Sequence, residues 1–273
     1  MISLLRLFCA ILALALAHST AMAAPRAELW PRFERHSPGS SEAVDHSLWD
    51  RILRSYLRPG DDGVNRFDYG RVSSGDRGLL GSYIDVLSRT EIDGLDRPEQ
   101  LAFWINLYNA LTVKVVLDRY PVASIRDINI SPGLFSRGPW GRKLVQVGGE
   151  ELSLDDIEHR ILRPVWRDPR IHYAVNCASV GCPNLRGEAY RAARIDAQLD
   201  EQARAFVNHP RGVQLDGGRL VVSSIYVWFQ EDFGGTDASV IAHLRSHASP
   251  GLAAKLAEVG KIDDHRYDWT LNQ

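Results

Sequence analysis

The sequence holds little cysteine and no excess of either charge. Three cysteines stand among 273 residues, and 32 lysines and arginines nearly balance 34 aspartates and glutamates. Such a chain has neither the basic footprint of a nucleic-acid-binding protein nor an acidic tail. No internal repeat, low-complexity tract or linker divides it, so one domain with a sizeable core is expected. Long apolar runs are also lacking, save one at the N-terminus. There Arg6 supplies a positive start, residues 7–17 an apolar stretch, and Ala21-Met22-Ala23 a small-residue cleavage signal. This is the pattern of a secretory signal peptide over 1–23, and its apolar stretch is too short to span a hydrocarbon core of about 30 Å. The product is expected in the periplasm or secreted, with no membrane attachment after cleavage.

After a polar arm over 24–43, a single domain is expected over 44–272. Leu48, Trp49, Ile52, Leu53, Tyr56 and Leu57 recur at helical spacing until Arg58-Pro59-Gly60 stops them. A short extended piece over 64–69 and a helix over 78–88 follow. The strongest helix is predicted over 98–119, where Leu101, Trp104, Ile105, Tyr108, Leu111, Thr112, Val115 and Val116 form one stripe. Ala102, Phe103 and Ala110 make the opposite side apolar too, so this helix is central and buried. Asn106 and Asn109 on it must therefore meet polar partners, because an unpaired buried amide costs about 1–3 kcal/mol. They either hold neighbouring loop backbone or contribute to a site.

Residues 131–141 form a Gly/Pro-rich loop in which Phe135 and Trp140 either anchor to the core or cover a cleft. A strand over 143–147 turns at Gly148-Gly149, and Ser153 to Asp156 opens a helix in the capping style. His159 on that helix faces away from Leu154, Ile157 and Ile161, the position of a solvated histidine. Ile195, Leu199, Ala203 and Phe206 mark another amphipathic helix. Asp216-Gly217-Gly218 joins a hairpin, the aromatic stretch 225–235 ends in an acidic pair and glycines, and two short helices precede an extended tail.

The chemistry concentrates in I-H-Y-A-V-N-C-A-S-V-G-C-P-N-L, residues 171–185. Residues 171–176 read as a strand and the cysteine segment as a turn around Gly181. Cys9 leaves with the signal, so Cys177 and Cys182 remain, and three readings stay open. In one, either cysteine is a nucleophile with His172 or His159 as base and Asp232 or Asn106 orienting the imidazole. On a strand, His172 would lie about 13 Å from the position beside Cys177, which favours Cys182 or a sharp return of the chain. In the second, the cysteines form a disulfide that pins the turn. In the third, His172 and both cysteines bind a metal, although Cys-x4-Cys is at the long end of zinc spacing and no second pair follows. Ser179 lacks the G-x-S-x-G elbow of a catalytic serine.

Four blocks resemble the domain-of-unknown-function 547 family: residues 101–109 (L-A-F-W-I-N-L-Y-N), 152–159 (L-S-L-D-D-I-E-H), 172–183 and 228–234. Residues 64–69 and 267–272 fit the same pattern. The resemblance implies one family domain, often exported in bacteria, and a papain- or transglutaminase-like fold is one idea for it. Some eukaryotic relatives join it to glutaredoxin-like modules, which hints at thiol chemistry. The motif positions are Trp104, Asn106, Asn109, Glu158, His159, His172, Cys177, Cys182, Trp228 and Asp232.

The expected fold is α+β: a buried central helix, surrounding helices and a small, mostly antiparallel sheet built from 143–147, 171–176, 212–215 and 219–223. The expected catalytic set is Cys177, Cys182, His172, His159 and Asp232, with Trp104, Asn106, Asn109 and Trp228 binding substrate in a common cleft. The expected activity is a thiol-dependent hydrolase or acyl transferase acting on peptide amides or thiol-containing peptides. The alternative is a non-catalytic accessory module with a structural Cys177–Cys182 disulfide. No cofactor, metal or nucleic-acid partner is indicated.

Overall fold

A computed structural model describes residues 25–133 and 137–273, so the signal segment and Phe135 lie outside the described residues. The stretch read as a loose arm runs across the body. The Glu28 and Trp30 N–H groups donate to the His159 and Arg160 carbonyls at 2.9 Å, and Phe33 is buried edge-on against Trp104.

Helix α1 (Ser47–Tyr56) runs into strand β1 (Leu57–Pro59), which pairs antiparallel with β2 (Asn65–Phe67). Helix α2 (Ser74–Ser88) follows, then α3 (Arg97–Arg119). Helix α3 starts where its sequence says it should. Asp96 accepts the Glu99 N–H, Pro98 occupies the first turn, and Pro121 follows the last. Every residue from Glu99 to Val113 is buried, so α3 is the central element. Asn106 and Asn109 each hold loop backbone: Asn106 bonds the Tyr190 N–H and carbonyl, Asn109 the Ala174 carbonyl and the Asn176 N–H.

A hairpin of β3 (Val145–Val147) and β4 (Glu150–Leu152) leads to α4, a π-helix over Asp156–Leu162 continued by an α-helical turn over Arg163–Trp166. Its start is the expected box: Ser153 and Asp156 exchange side-chain bonds with each other's backbone N–H. The wider π-turn is where the structure departs from expectation. His159, read as solvated, is buried, because the 25–30 segment covers that side and Arg163 fills the space beside its ring.

Residues 171–176 are a second correction. They form a short helix, α5 (Ile171–Ala174), followed by extended chain, and pair with no strand. Asp168 accepts the Arg170 N–H and Pro169 opens a turn that His172 continues by donating to the Pro169 carbonyl. All six residues are buried, so alternation between two faces carried no information about a wet side.

Helix α6 (Ile195–Val207) precedes β5 (Val213–Asp216) and β6 (Arg219–Ser223), joined through Gly217 and Gly218 at φ 54° and 83°. Both central positions are left-handed, as a two-residue hairpin turn demands. Short α7 (Ile225–Trp228), α8 (Asp237–His247) and α9 (Pro250–Leu256) follow. Strand β7 (Asp264–Arg266) then adds parallel to β6. The fold is thus mixed helix and sheet, as expected, but among the described residues the one anticipated sheet is three separate small ones, and the 171–176 segment expected within it begins as helix.

Two apolar clusters result. One surrounds α3; the other holds Phe206, Tyr226, Phe233, Val240, Leu244 and Leu256. Helix α5 lies between them, with Ile171 and Ala174 in the first and Tyr173 in the second. Trp104, fully buried on α3, packs edge-on against Phe33 and Phe103. Trp104→Ala should cost about 3–5 kcal/mol in denaturant unfolding; a change below about 1 kcal/mol would contradict its central place.

Candidate functional site at the cysteine turn

The turn is built by amides. Asn109 clamps the chain on both sides of Val175, and Asn176 then bonds the Pro183 carbonyl and accepts the Ala178 N–H at 2.8 Å. Ala178 sits at φ 57°, a left-handed conformation that costs a non-glycine residue about 1–3 kcal/mol and persists only where its surroundings impose it. Here the tail supplies the constraint. Asn272 donates to the Ala178 carbonyl, Val180 to that of Thr270, and Gly181 to that of Asp268. A Cβ on Gly181 would meet the Asp268 backbone nitrogen at 2.6 Å, so only glycine allows this approach.

The two sulfurs lie 3.2 Å apart as free thiols. Their surroundings differ. Cys182 is buried, 4% exposed, whereas Cys177 is partly exposed. Cys177 Sγ also lies 2.9 Å from the Tyr267 hydroxyl and 3.2 Å from Ser179 Oγ. The Ser179 and Tyr267 hydroxyls lie 3.0 Å from each other, so the two oxygens and the sulfur form one hydrogen-bonded triangle. The Cys182 hydrogen bond, aided by Ser179 and Tyr267, holds the Cys177 thiol below its ordinary pKa against the opposing effect of burial. Burial, then the bond to Cys177, pushes Cys182 well above its ordinary value, and burial does the same to Tyr267. Of the three protons, the one on Cys177 leaves first.

The imidazoles form a separate group. His172 Nε2 meets Asp232 Oδ2 at 2.6 Å, and its Nδ1 lies 3.7 Å from Glu158 Oε1. The ring stacks on Phe229 at 4.2 Å. Arg163 grips the same carboxylate with Nε at 2.5 Å and Nη2 at 3.2 Å. Burial works to raise Asp232, but the bonds from His172 and Arg163 outweigh it and hold the carboxyl at about 2. Arg163 Nη1 lies 3.1 Å from His159 Nδ1, which must therefore accept and keep its proton on Nε2, facing Asp155 at 3.6 Å. Tyr108 donates to Glu158 at 3.0 Å.

The structure therefore divides the expected site. Cys177 and Cys182 meet each other; His172 and Asp232 meet each other; His159 joins the second pair through Arg163. Among the described residues no histidine hydrogen-bonds either sulfur, and no group of three or more His, Cys, Asp and Glu is arranged to hold a metal ion. Asn109 is the clamp under the turn. Trp104 and Asn106 lie deeper in the core, on the Phe33 ring and the Tyr190 backbone. Trp228 is half-buried and stands against Tyr267 and Trp269, with ring centroids 4.9 and 5.7 Å away. Sequence reasoning missed Tyr267, Arg163 and Tyr108. The first lies in a tail block that fitted the family pattern, which was the one available signal.

Residues 92–207 match the family described as "Protein of unknown function, DUF547", a match that supports membership of that family. The matched stretch spans α3, α4 and the cysteine turn, and it ends before Asp232 and Tyr267. No curated protein and no solved structure matches the chain.

Two measurements follow. Alkylation of Cys177 by iodoacetamide should reach half-maximal rate below the ordinary thiol pKa of about 8.5. Cys182→Ala and Tyr267→Phe should each raise that midpoint; unchanged midpoints would contradict the assigned donors. The second concerns acid stability. Burial lowers His46, His159 and His243 to about 4, and lowers His247 as well. These groups bind fewer protons folded than unfolded, so the stability they permit is complete above about 6.5 and falls as pH drops toward 4. Asp155 runs the other way: burial and the charges of Glu158 and Asp156 raise it to about 7, so its ionisation opposes folding as pH climbs. In thermal melts Asp155→Asn should stabilise at pH 8 and be near neutral at pH 4. Equal effects at both would refute the assignment.

Proposed function

We propose that the protein is an exported thiol-dependent enzyme of the thiol–disulfide exchange class, acting on small thiol or peptide disulfides. The observation that carries this reading is the pair of unlike thiols 3.2 Å apart, Cys177 partly exposed and Cys182 buried. Cys177, as thiolate, attacks one sulfur of the substrate disulfide; the S–S bond breaks and the leaving thiolate departs. Cys182 then loses its proton and attacks the Cys177 sulfur of the mixed disulfide, releasing the second thiol. The substrate is reduced and the cysteine pair oxidised to a disulfide, which an external dithiol must reduce again.

The hydrolase or acyl-transferase reaction expected from the sequence needs an imidazole to move protons at the sulfur and the leaving amine. His172 and His159 are engaged by Asp232, Glu158 and Arg163, while the bonds to Cys177 come from Tyr267, Ser179 and Cys182. Thiol exchange asks only for a thiolate and a second sulfur, so the geometry supports it better. No described helix is long and apolar enough to cross a membrane, and release after signal cleavage remains part of the proposal.

An aromatic disulfide such as 5,5′-dithiobis(2-nitrobenzoate) tests the scheme. The wild type should release two thionitrobenzoate ions per chain and end with Cys177 and Cys182 joined. Cys182→Ala should release one and retain the adduct on Cys177. A chain that releases none, whether native or denatured without reductant, would overturn the scheme and favour the non-catalytic accessory module with its Cys177–Cys182 disulfide.

A further inference from the structure

Against Trp269 lies a depression of about 460 Å³, lined also by Ser124, Arg126, Asp127, Asn129 and Arg137. Its volume falls within the roughly 300–1,000 Å³ of small-molecule sites. Trp269 links it to the sulfur: the ring lies 4.6 Å from that of Tyr267, whose hydroxyl is 2.9 Å from Cys177 Sγ. Trp140 and Trp228 flank Trp269 at 5.8 and 5.7 Å, so Trp269 stands within a cluster of aromatic rings.

Charge in the depression is unequal. Asp127 is the one carboxylate among its lining residues, and it accepts the Ser124 N–H at 3.1 Å. Arg126 lies over the Trp269 ring, its guanidinium carbon 5.1 Å from the centroid. Among the described residues neither Arg126 nor Arg137 forms an ion pair. A guanidinium stacked on an aromatic face keeps its N–H edge free, and that edge matches a carboxylate in bidentate fashion. The stacking also fixes the side chain before a ligand arrives, so little rotamer freedom is lost on binding.

We infer that this depression selects the substrate of the thiol: a small disulfide bearing carboxylates, its acid group on Arg126 and its sulfur directed along Trp269 to Cys177. The inference rests on the thiol-exchange reading and adds the charge of the substrate to it. The carboxylate is held without chemistry, and the exchange step itself is the one already written.

The test uses the Cys182→Ala chain, in which the mixed disulfide accumulates, and three probes: oxidised glutathione (anionic), bis(2-hydroxyethyl) disulfide (neutral) and cystamine (cationic). Each rate of adduct formation is divided by the rate of the same probe with free cysteine. The anionic probe should then exceed the cationic one by about tenfold or more, the scale of one charge-assisted hydrogen-bonded contact. Adding Arg126→Gln should remove most of that ratio, and Arg126→Lys should restore part of it. Equal normalised rates for all three probes, or a ratio untouched by Arg126→Gln, would overturn the charge selection while leaving the thiol reading intact. Failure of all three probes to form an adduct would overturn both.

Discussion

The Asn109 carboxamide carries the organisation of this molecule. It stands on the most deeply buried helix and reaches out in two directions, to the Ala174 carbonyl and the Asn176 N–H. Two bonds from one planar group fix both the distance and the direction in which the chain leaves α5. Everything after it inherits that geometry: the Asn176 turn, the left-handed Ala178 and the meeting of the two sulfurs. An amide in such a place has no water to turn to, so either both bonds form or the segment is displaced. That all-or-none character makes a polar residue a better locator of a reactive turn than an apolar contact, which tolerates sliding.

A second constraint comes from the π-turn of α4. It carries Ile157, Glu158 and His159 in succession, all three of them buried. The result is a chain of linked polar groups: Tyr108, Glu158, His172, Asp232, Arg163 and His159. It is packed against Phe229 and Phe233, between the two apolar clusters. Paired this fully, the group holds the seam between the clusters rather than offering a free base. Its charge still reaches the thiol, since the Glu158 carboxylate opposes ionisation of Cys177.

Much of the fold was legible. Helix α3 could be bounded from its apolar girth, its first-turn proline and its flanking Pro121, and the Asp-Gly-Gly hairpin from its turn chemistry alone. Helix α5 was not legible, because six buried residues look alike whether their period is two or three and a half. What separated the cases was the Asp168-Pro169 start, a local signal outweighed by alternation. In the site, Asp232 or Asn106 was expected to orient an imidazole, and of the two it is Asp232 that meets His172. The partner of the sulfur was not legible. Tyr267 acquires its role only from the way the tail lies along 178–181, and nothing in the composition of residues 267–272 signals that contact. His159 was misread for a related reason: a helical wheel assumes a regular turn.

The dependence on that tail carries a consequence for how the site comes into being. Tyr267 follows Cys177 by 90 positions, and the backbone bonds that impose the Ala178 conformation come from the same stretch. The encounter closes a long loop, at an entropic cost that grows with the logarithm of its length. Until it closes, Cys177 lacks its phenol donor and keeps only the partners of its own turn, Cys182 and Ser179. The full set of contacts around the sulfur is therefore a property of the finished molecule.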